Sequence, residues 1–153
     1  GLGDVYKRQS VHSLNDNAVD LSVQLDCIVE GARSDGGPQV ELEVLAEHAP
    51  ANVANCFAAV LREALSNAMR HAHAKTITVR CMEHPSFYQL IVTDDGADAT
   101  PASSSNVVEG MGLASMRERV EALGGTFTAG LRAGAPGWRV FATVPKQQGD
   151  EGR

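Results

Sequence analysis

Three polar side chains follow one another at four-residue steps in the stretch REALSNAMRHA, residues 62–72. In a helix, the spacing i, i+4, i+8 places Glu63, Asn67 and His71 along one edge. An asparagine amide oxygen is a neutral, hard ligand that suits Mg²⁺, an ion that usually keeps several waters and substrate phosphates. A glutamate one turn away can polarise a water or accept a proton. Taken alone, this spacing is more often a solvated helix edge, so the interpretation depends on the rest of the chain.

A second polar group stands at the end of a predicted strand, in VTDDGAD, residues 92–98. An aspartate at a strand end, followed by a glycine, can place a carboxylate in a pocket while the backbone turns sharply. Asp94 and Gly96 have this arrangement. A buried carboxylate there can accept a hydrogen bond from the exocyclic amine of a base. By itself, the stretch is more often a plain Asp-Gly turn.

The third segment is GMGLASM, residues 110–116, in which two glycines run directly into a predicted helix. Glycines let backbone N–H groups approach a phosphate closely, and the N-terminus of a helix adds a favourable dipole and free donors. The segment does not match the dinucleotide-binding pattern GxGxxG. Ser115 occupies the third glycine position, and no strand directly precedes the motif.

The elements that must position these residues follow from the hydrophobic periodicity. In chain order they are a helix over 17–31, a strand over 39–46, a long helix from Pro50 to about His73, a hairpin pair of strands over 75–82 and 87–94, a polar loop over 97–109, a helix closed by Gly124 and Gly125, and two strands over 126–131 and 138–144. The chain has no internal repeat and no linker long enough to divide it. This order predicts an α/β (α+β) fold, a two-layer sandwich of one mixed sheet with helices on one face.

Composition restricts the class of protein further. The 153 residues are 43% hydrophobic and 21% charged, as in one soluble globular domain. The formal net charge of -6 leaves no basic excess for nonspecific nucleic-acid binding. The three cysteines form no CxxC pair, which argues against a disulfide framework or a zinc site and favours the cytoplasm. No apolar run approaches the roughly 18 residues that a membrane-spanning helix needs.

The three segments, in this order and with a polar loop between the last two, resemble the N, G1 and G2 boxes of the GHKL ATPase superfamily, which includes gyrase, Hsp90, MutL and the histidine-kinase catalytic domain. REALSNAMRHAHAKT, VTDDG and GMGLASMRERVEALGG are most similar to sensor histidine kinases of the nitrate-sensor and DesK-like group. The resemblance covers residues 17–145 and implies a GHKL (Bergerat) fold. It implies a protein histidine kinase that transfers the γ-phosphoryl of ATP to a histidine on a separate dimerisation domain.

The resemblance also assigns roles by position. It implies that Asn67 coordinates Mg²⁺ and that Glu63 is a base or a water-orienting group, so that these two are the catalytic residues. The implied ATP contacts are Asn67, Arg70, His71 and Lys75 near the phosphates, Asp94 and Gly96 at the adenine, and Gly110, Met111, Gly112 and Leu113 in the G2 box. Residues 97–109 are expected to form a lid over ATP. The implied partners are a dimerisation domain, a downstream response regulator and a second copy of the full-length protein, which is expected to be a homodimer; membrane anchoring of that protein stays open.

Two positions depart from the family pattern. Asp98 stands where the second glycine of Asp-x-Gly-x-Gly is expected, and DesK-like members lack that glycine too, so we interpret it as a variant. Many members show Gly-Thr before the last strand, where this chain has Gly137 and Trp138, and we assign Trp138 no role from the sequence.

The two ends of the chain are expected to lie outside the domain. The chain starts at Gly1 rather than Met, and GLGDVYKRQ resembles a translation artefact of assembled metagenomic sequences. Residues 1–16 are therefore interpreted as a leader with a remnant of a dimerisation helix, and 146–153 as a disordered tail. His12 is too close to the N box to be the phosphoacceptor. Two alternatives stay open: an anti-sigma-factor-type serine kinase, and a degenerate module that binds only nucleotide or a partner.

Overall fold

The structure, a computed structural model, describes residues 18–71, 74–96 and 112–146. These residues form three α-helices and seven β-strands. In chain order the elements are β1 Ala18–Asp20, α1 Leu21–Ala32, β2 Gln39–Val44, β3 His48–Pro50, α2 Ala51–His71, β4 Thr76–Glu83, β5 Phe87–Asp94, α3 Leu113–Glu121, β6 Thr126–Leu131 and β7 Trp138–Pro145.

Five of the strands form one mixed sheet in the order β2-β4-β5-β7-β6. β2 runs parallel to β4, whereas β4–β5, β5–β7 and β6–β7 are antiparallel pairs. The predicted hairpin of β4 and β5 is therefore confirmed, as is the mixed character of the sheet. The parallel pair at one edge follows from the chain path, because the long helix α2 lies between β2 and β4.

One face of the sheet carries the core. Along β4 the side chains of Ile77, Val79 and Cys81 are fully buried, and the residues between them are half-buried or exposed. Period-two burial of this kind means that one face is covered and the other is open. The helices supply the cover: α1 contacts β2, α2 contacts β5 and β7, and α3 contacts β6 and β7. The predicted two-layer α/β sandwich is confirmed.

The long helix α2 packs its apolar stripe into this core. Of the stripe predicted from the sequence, the structure buries Phe57, Val60, Leu61, Ala64, Leu65 and Ala68 and half-buries Met69. Burying a large aliphatic or aromatic side chain stabilises a fold by about 1.5–3 kcal/mol. The stripe therefore fixes the rotation of α2 about its axis, and with it the direction in which the polar edge points.

The start of the domain differs from the prediction. The first helix begins at Leu21 rather than at Asn17, because Ala18–Asp20 form a short strand that pairs antiparallel with His48–Pro50. Neither three-residue strand is long enough to show a periodicity. Asp20 ends β1 and caps the helix, since its carboxylate Oδ1 accepts a hydrogen bond of 3.2 Å from the N–H of Val23.

Removal of this cap gives a stability prediction. Asp20→Ala is expected to lower the free energy of unfolding by about 1 kcal/mol, because one backbone donor of α1 loses its acceptor. Asp26→Ala is the matched control, since Asp26 is exposed within the same helix. Urea denaturation of both variants measures the difference. An equal loss in the two variants would contradict the capping role.

The three cysteines are free thiols. Burial raises the pKa of Cys56 to about 11 and that of Cys81 to about 12, so both stay protonated at neutral pH. Cys27 lies exposed on α1. Within 18–71, 74–96 and 112–146, no helix combines the length and the apolar character required to cross a lipid bilayer.

Candidate functional site

Asn67 lies at the buried end of the polar edge of α2. Only 5% of its surface is exposed, and its Oδ1 accepts a hydrogen bond of 3.2 Å from the Arg70 guanidinium. A solvated helix edge leaves its amides in water, so this burial argues against that interpretation. Buried amides need hydrogen-bond partners. The oxygen of Asn67 therefore stands at the border of the core with a cationic group already directed at it.

The neighbouring predicted phosphate contacts lie at the end of α2 and just beyond it. Arg70 is exposed and reaches back one turn to Asn67. His71 is the last residue of α2, and its side chain lies outside the described part of the chain. Lys75 is exposed, and its backbone N–H donates to Oδ1 of Asp95 at 2.8 Å. The structure thus places Arg70 beside Asn67 and puts Lys75 at the entrance to β4.

Asp94 is the last residue of β5 and has a buried carboxylate. It is 5% exposed and stands opposite Ile77, so its side chain points to the helix-covered face of the sheet. Burial raises the pKa of this carboxyl above its ordinary value, and hydrogen bonds from the backbone N–H groups of Gly96 and Trp138 oppose that rise. The Gly96 bond is 2.9 Å long. Gly96 itself is buried.

Asp95, the next residue, has a structural task. Its Oδ1 accepts hydrogen bonds from the backbone N–H groups of Lys75, at 2.8 Å, and Thr76, at 3.0 Å. The Thr76 bond is the first cause of the lowered pKa of this carboxyl. Asp95 therefore ties the start of β4 to the end of β5 and leaves Asp94 as the carboxylate that faces the helices.

Glu63 and Gly112 meet although they are far apart in the sequence. Gly112 has φ 71°, in the left-handed region, and a Cβ added there would overlap the Glu63 carboxylate. The contact is consistent with the packing of α2 on α3. It places the half-buried carboxylate of Glu63 directly at the N-terminus of α3.

Among the described residues, no side chain caps the N-terminus of α3. Gly112 is the N-cap, makes no side-chain cap hydrogen bond, and its carbonyl accepts from Met116 at 3.1 Å. The first N–H groups of a helix have no acceptor within the helix and bind anions readily. Leu113 is only 9% exposed and packs in the core with Met116 and Val120, so only its main chain is available to a ligand. Gly110 and Met111, and the predicted lid over 97–109, lie outside the described residues.

The turn between β6 and β7 was predicted from the sequence, but its contact with Asp94 was not. Gly137 has φ 118°, and a Cβ there would overlap the carbonyl oxygen of Asp94. The Arg132 guanidinium lies 3.5 Å from that same oxygen and 3.2 Å from the carbonyl oxygen of Pro136. The turn therefore packs directly on the backbone of Asp94. The signal in the sequence was a glycine immediately before the last strand.

The described residues offer no cluster of three or more His, Cys, Asp or Glu side chains that could hold a metal ion by themselves. Magnesium in phosphate-transfer sites is commonly bound by one or two protein oxygens together with substrate phosphates and waters. The amide oxygen of Asn67, which accepts a hydrogen bond from the Arg70 guanidinium, is a ligand atom that fits this mode of magnesium binding.

The comparison with protein families identifies the class of protein to which this chain belongs. Residues 52–148 match the family described as Histidine kinase-, DNA gyrase B-, and HSP90-like ATPase. This match covers more than half of the chain, and the chain belongs to that family. The resemblance inferred from the three boxes is thereby confirmed.

The curated relatives that the chain resembles are sensor and signal-transduction proteins. The chain is 36% identical over 88 residues to the signal transduction histidine-protein kinase/phosphatase UhpB of Salmonella typhimurium, covering 58% of this chain and 16% of that protein. It is 33% identical over 110 residues to the sensor histidine kinase YxjM of Bacillus subtilis, covering 68% of this chain and 25% of that protein. It is 33% identical over 93 residues to the nitrate/nitrite sensor protein NarQ of Escherichia coli, covering 60% of this chain and 16% of that protein. The chain thus spans a quarter or less of the length of these relatives.

Solved structures show the same fold. The catalytic domain of the histidine kinase ThkA superposes with a TM-score of 0.70 at 15% identity, covering 87% of this chain and 97% of that one. The mycobacterial sensor histidine kinase MprB superposes with a TM-score of 0.65 at 22% identity, covering 84% and 95%. The predicted GHKL fold is confirmed.

Proposed function

We propose that this chain is the ATP-binding catalytic domain of a two-component sensor histidine kinase, which transfers the γ-phosphoryl of ATP to a histidine on a separate dimerisation domain. The observation that carries the proposal is the contact between Glu63 and the backbone of Gly112. This contact joins a carboxylate on the edge that holds Asn67 to the N-terminus of α3. Phosphoryl transfer needs both groups around the same phosphates.

Asp94 and Gly96 are proposed to hold the adenine. The buried Asp94 carboxylate accepts from the exocyclic amino group of the base, and Gly96 leaves room for the ring because it carries no side chain. The two backbone donors on Asp94 hold the carboxylate in place before the nucleotide arrives. A preorganised acceptor loses little conformational freedom on binding.

The phosphates are proposed to bind between α2 and α3. The first N–H groups of α3, with Gly110, Met111, Gly112 and the main chain of Leu113, face them on one side. Arg70, His71 and Lys75 supply positive or neutral donors on the other. Asn67 is proposed to hold Mg²⁺ through its amide oxygen, and the ion would supply positive charge to neutralise the charge that develops on the phosphates.

Glu63 and Asn67 are the proposed catalytic residues. Glu63 orients or deprotonates the attacking group, and its contact with Gly112 places its carboxylate at the N-terminus of α3. Catalysis of phosphoryl transfer is mostly positioning and electrostatic stabilisation, so the placement of these groups matters more than their intrinsic reactivity.

The partners are proposed from the relatives, which carry names of sensor and signal-transduction kinases. They are a dimerisation domain bearing the phosphoacceptor histidine, a response regulator downstream, and a second copy in a full-length homodimer, with no nucleic acid among them. This domain is proposed to work in the cytoplasm, where ATP and Mg²⁺ are available.

The test is phosphoryl transfer in a fusion of this chain to the dimerisation domain of a related kinase, supplied with Mg²⁺ and radiolabelled ATP. We expect label on the dimerisation domain that is lost in acid, because phosphohistidine is acid-labile. A fusion whose dimerisation histidine is replaced by glutamine serves as the control and should stay unlabelled. Acid-stable label would contradict the proposal and favour the serine-kinase alternative.

The contact at Gly112 gives a prediction of its own. Gly112→Ala adds backbone strain of about 1–2 kcal/mol and pushes the flexible end of Glu63 away from α3. We expect affinity for a non-hydrolysable ATP analogue to fall by about 10- to 100-fold, since small misplacements in such sites are costly. Gly134→Ala is the matched control, because Gly134 has φ 75° but nothing within 4 Å of the added Cβ.

Calorimetric titration and urea denaturation of both variants separate the two effects. Both should lose similar stability, and only Gly112→Ala should lose nucleotide affinity. Equal affinities in the two variants would show that the position of Glu63 against Gly112 is unimportant for binding.

A further inference from the structure

The turn between β6 and β7 brings an aromatic side chain next to Asp94. Thr93 of β5 pairs with Arg139 of β7, so Asp94 and Trp138 are the next neighbours across the two strands. Residues directly opposite on antiparallel strands project to the same face, with Cβ atoms about 4.5–5.5 Å apart. The Asp94 side chain points to the helix-covered face, and the Trp138 side chain therefore stands beside it on that face.

Four contacts, most of them made by the backbone, fix this pair. The N–H of Trp138 lies near enough to the Asp94 carboxylate to lower its pKa, and Gly137 packs against the Asp94 carbonyl oxygen so closely that a Cβ would not fit. The Arg132 guanidinium approaches that oxygen as well, while the Arg132 N–H donates to the Gly137 carbonyl at 2.9 Å. The position of the Trp138 backbone relative to Asp94 is thus held by contacts that do not involve the indole.

The indole itself is only half-buried. It packs against the core on one side, yet it stands at the first residue of β7, where the sheet ends. A large aromatic ring that the core does not enclose has a face or an edge left for a ligand. The side chain next to it is the Asp94 carboxylate, which is proposed to accept a hydrogen bond from the adenine amine.

We propose that the indole of Trp138 forms a wall of the base pocket against which the purine ring packs. Trp138 thereby contributes to affinity without discriminating between purines. The inference rests on the proposed function. It divides the recognition of the base between two neighbours: Asp94 selects the amino group by hydrogen bonding, and Trp138 binds any purine through its apolar surface, because every base has a π-face.

Two nucleotides separate these contributions. Non-hydrolysable analogues of ATP and of inosine triphosphate share the ring system, and only the first carries the exocyclic amine. Trp138→Leu is expected to weaken both by a similar factor of about 5- to 150-fold, since that is the usual effect of removing an aromatic platform from a base. Asp94→Asn is expected to reduce the preference for the ATP analogue over the inosine analogue.

The controls test whether the effect is specific to Trp138 and whether each variant stays folded. Phe141→Leu makes a comparable change on the same strand, at a half-buried residue of the opposite parity and so on the other face of the sheet. It is expected to leave both affinities unchanged. Trp138→Phe retains a ring and the backbone N–H, and should keep most of the affinity. Urea denaturation confirms that each variant is folded at the titration temperature.

A direct optical readout is available because Trp138 is the only tryptophan of the chain. We expect its emission to change on titration with the ATP analogue, with the midpoint found by calorimetry. Calorimetric binding that leaves both the emission and the Trp138→Leu affinity unchanged would overturn the role of Trp138 alone, and tighter binding by Trp138→Leu would mean that the indole obstructs the pocket. An unaltered chain that binds neither analogue would overturn the proposed function, and this inference with it.

Discussion

Replacing Asp94 by asparagine is expected to weaken binding of a non-hydrolysable ATP analogue by about 10- to 150-fold. A hydrogen bond to a charged group contributes about 1.5–3 kcal/mol, and each 1.4 kcal/mol is a factor of ten in affinity. The asparagine keeps the shape of the side chain but replaces one acceptor oxygen by an NH₂ group. Whichever way the amide turns, a donor faces either the adenine amine or the backbone N–H of Gly96, which is 2.9 Å from Oδ1 in the structure.

The neighbouring aspartate provides the matched control. Asp95→Asn makes the same chemical change one residue later, at a carboxylate that holds the backbone N–H groups of Lys75 and Thr76. One amide oxygen can still accept both hydrogen bonds, so we expect little change in nucleotide affinity and a small loss of stability. Calorimetric titration measures both variants. Equal affinities for Asp94→Asn and the unaltered chain would remove Asp94 from the base pocket.

The second large effect is expected at Asn67. Asn67→Ala should reduce Mg²⁺-dependent phosphoryl transfer to the supplied dimerisation domain by at least about 100-fold, the usual cost of losing one group that stabilises a transition state electrostatically. The substitution removes the only amide oxygen on the polar edge between Glu63 and His71. It also leaves the Arg70 guanidinium without the oxygen that it contacts at 3.2 Å.

Asn55→Ala is the control for this variant. Asn55 is exposed and lies three turns earlier on the same helix, so the change tests α2 without touching its polar edge. Transfer rates measured with radiolabelled ATP over a range of Mg²⁺ concentrations give the comparison. Unchanged transfer by Asn67→Ala would exclude Asn67 as the metal ligand.

Much of the fold was predictable because the long helix and the main strands show a clear local periodicity of hydrophobic residues. The apolar stripe of α2 and the alternation along β4 and β5 are long enough to show their period, and the structure places helix and strands there. The strands β1 and β3 were missed, since three residues carry no pattern and their pairing joins segments about thirty residues apart. For the same reason the first helix was predicted to start too early, at Asn17 instead of Leu21.

For the candidate site, the sequence supplies the residue types that we propose, but it does not supply their geometry. The sequence pointed to Asn67 and Asp94 through their resemblance to known boxes, but their burial is a property of the packing of α2 on the sheet. The contact of Glu63 with Gly112 joins positions 49 residues apart and depends on how α2 meets α3. Trp138 had no assigned role, because its register opposite Asp94 follows from strand order, which the sequence alone does not fix.

The most direct test of the central claim is calorimetric titration of the unaltered chain with a non-hydrolysable ATP analogue, with and without Mg²⁺. A site built from a base-reading Asp94 and a metal-binding Asn67 predicts saturable one-to-one binding that strengthens when Mg²⁺ is present. The absence of binding at millimolar analogue, with or without the metal, would contradict the account and would leave a degenerate, partner-binding domain as the better description.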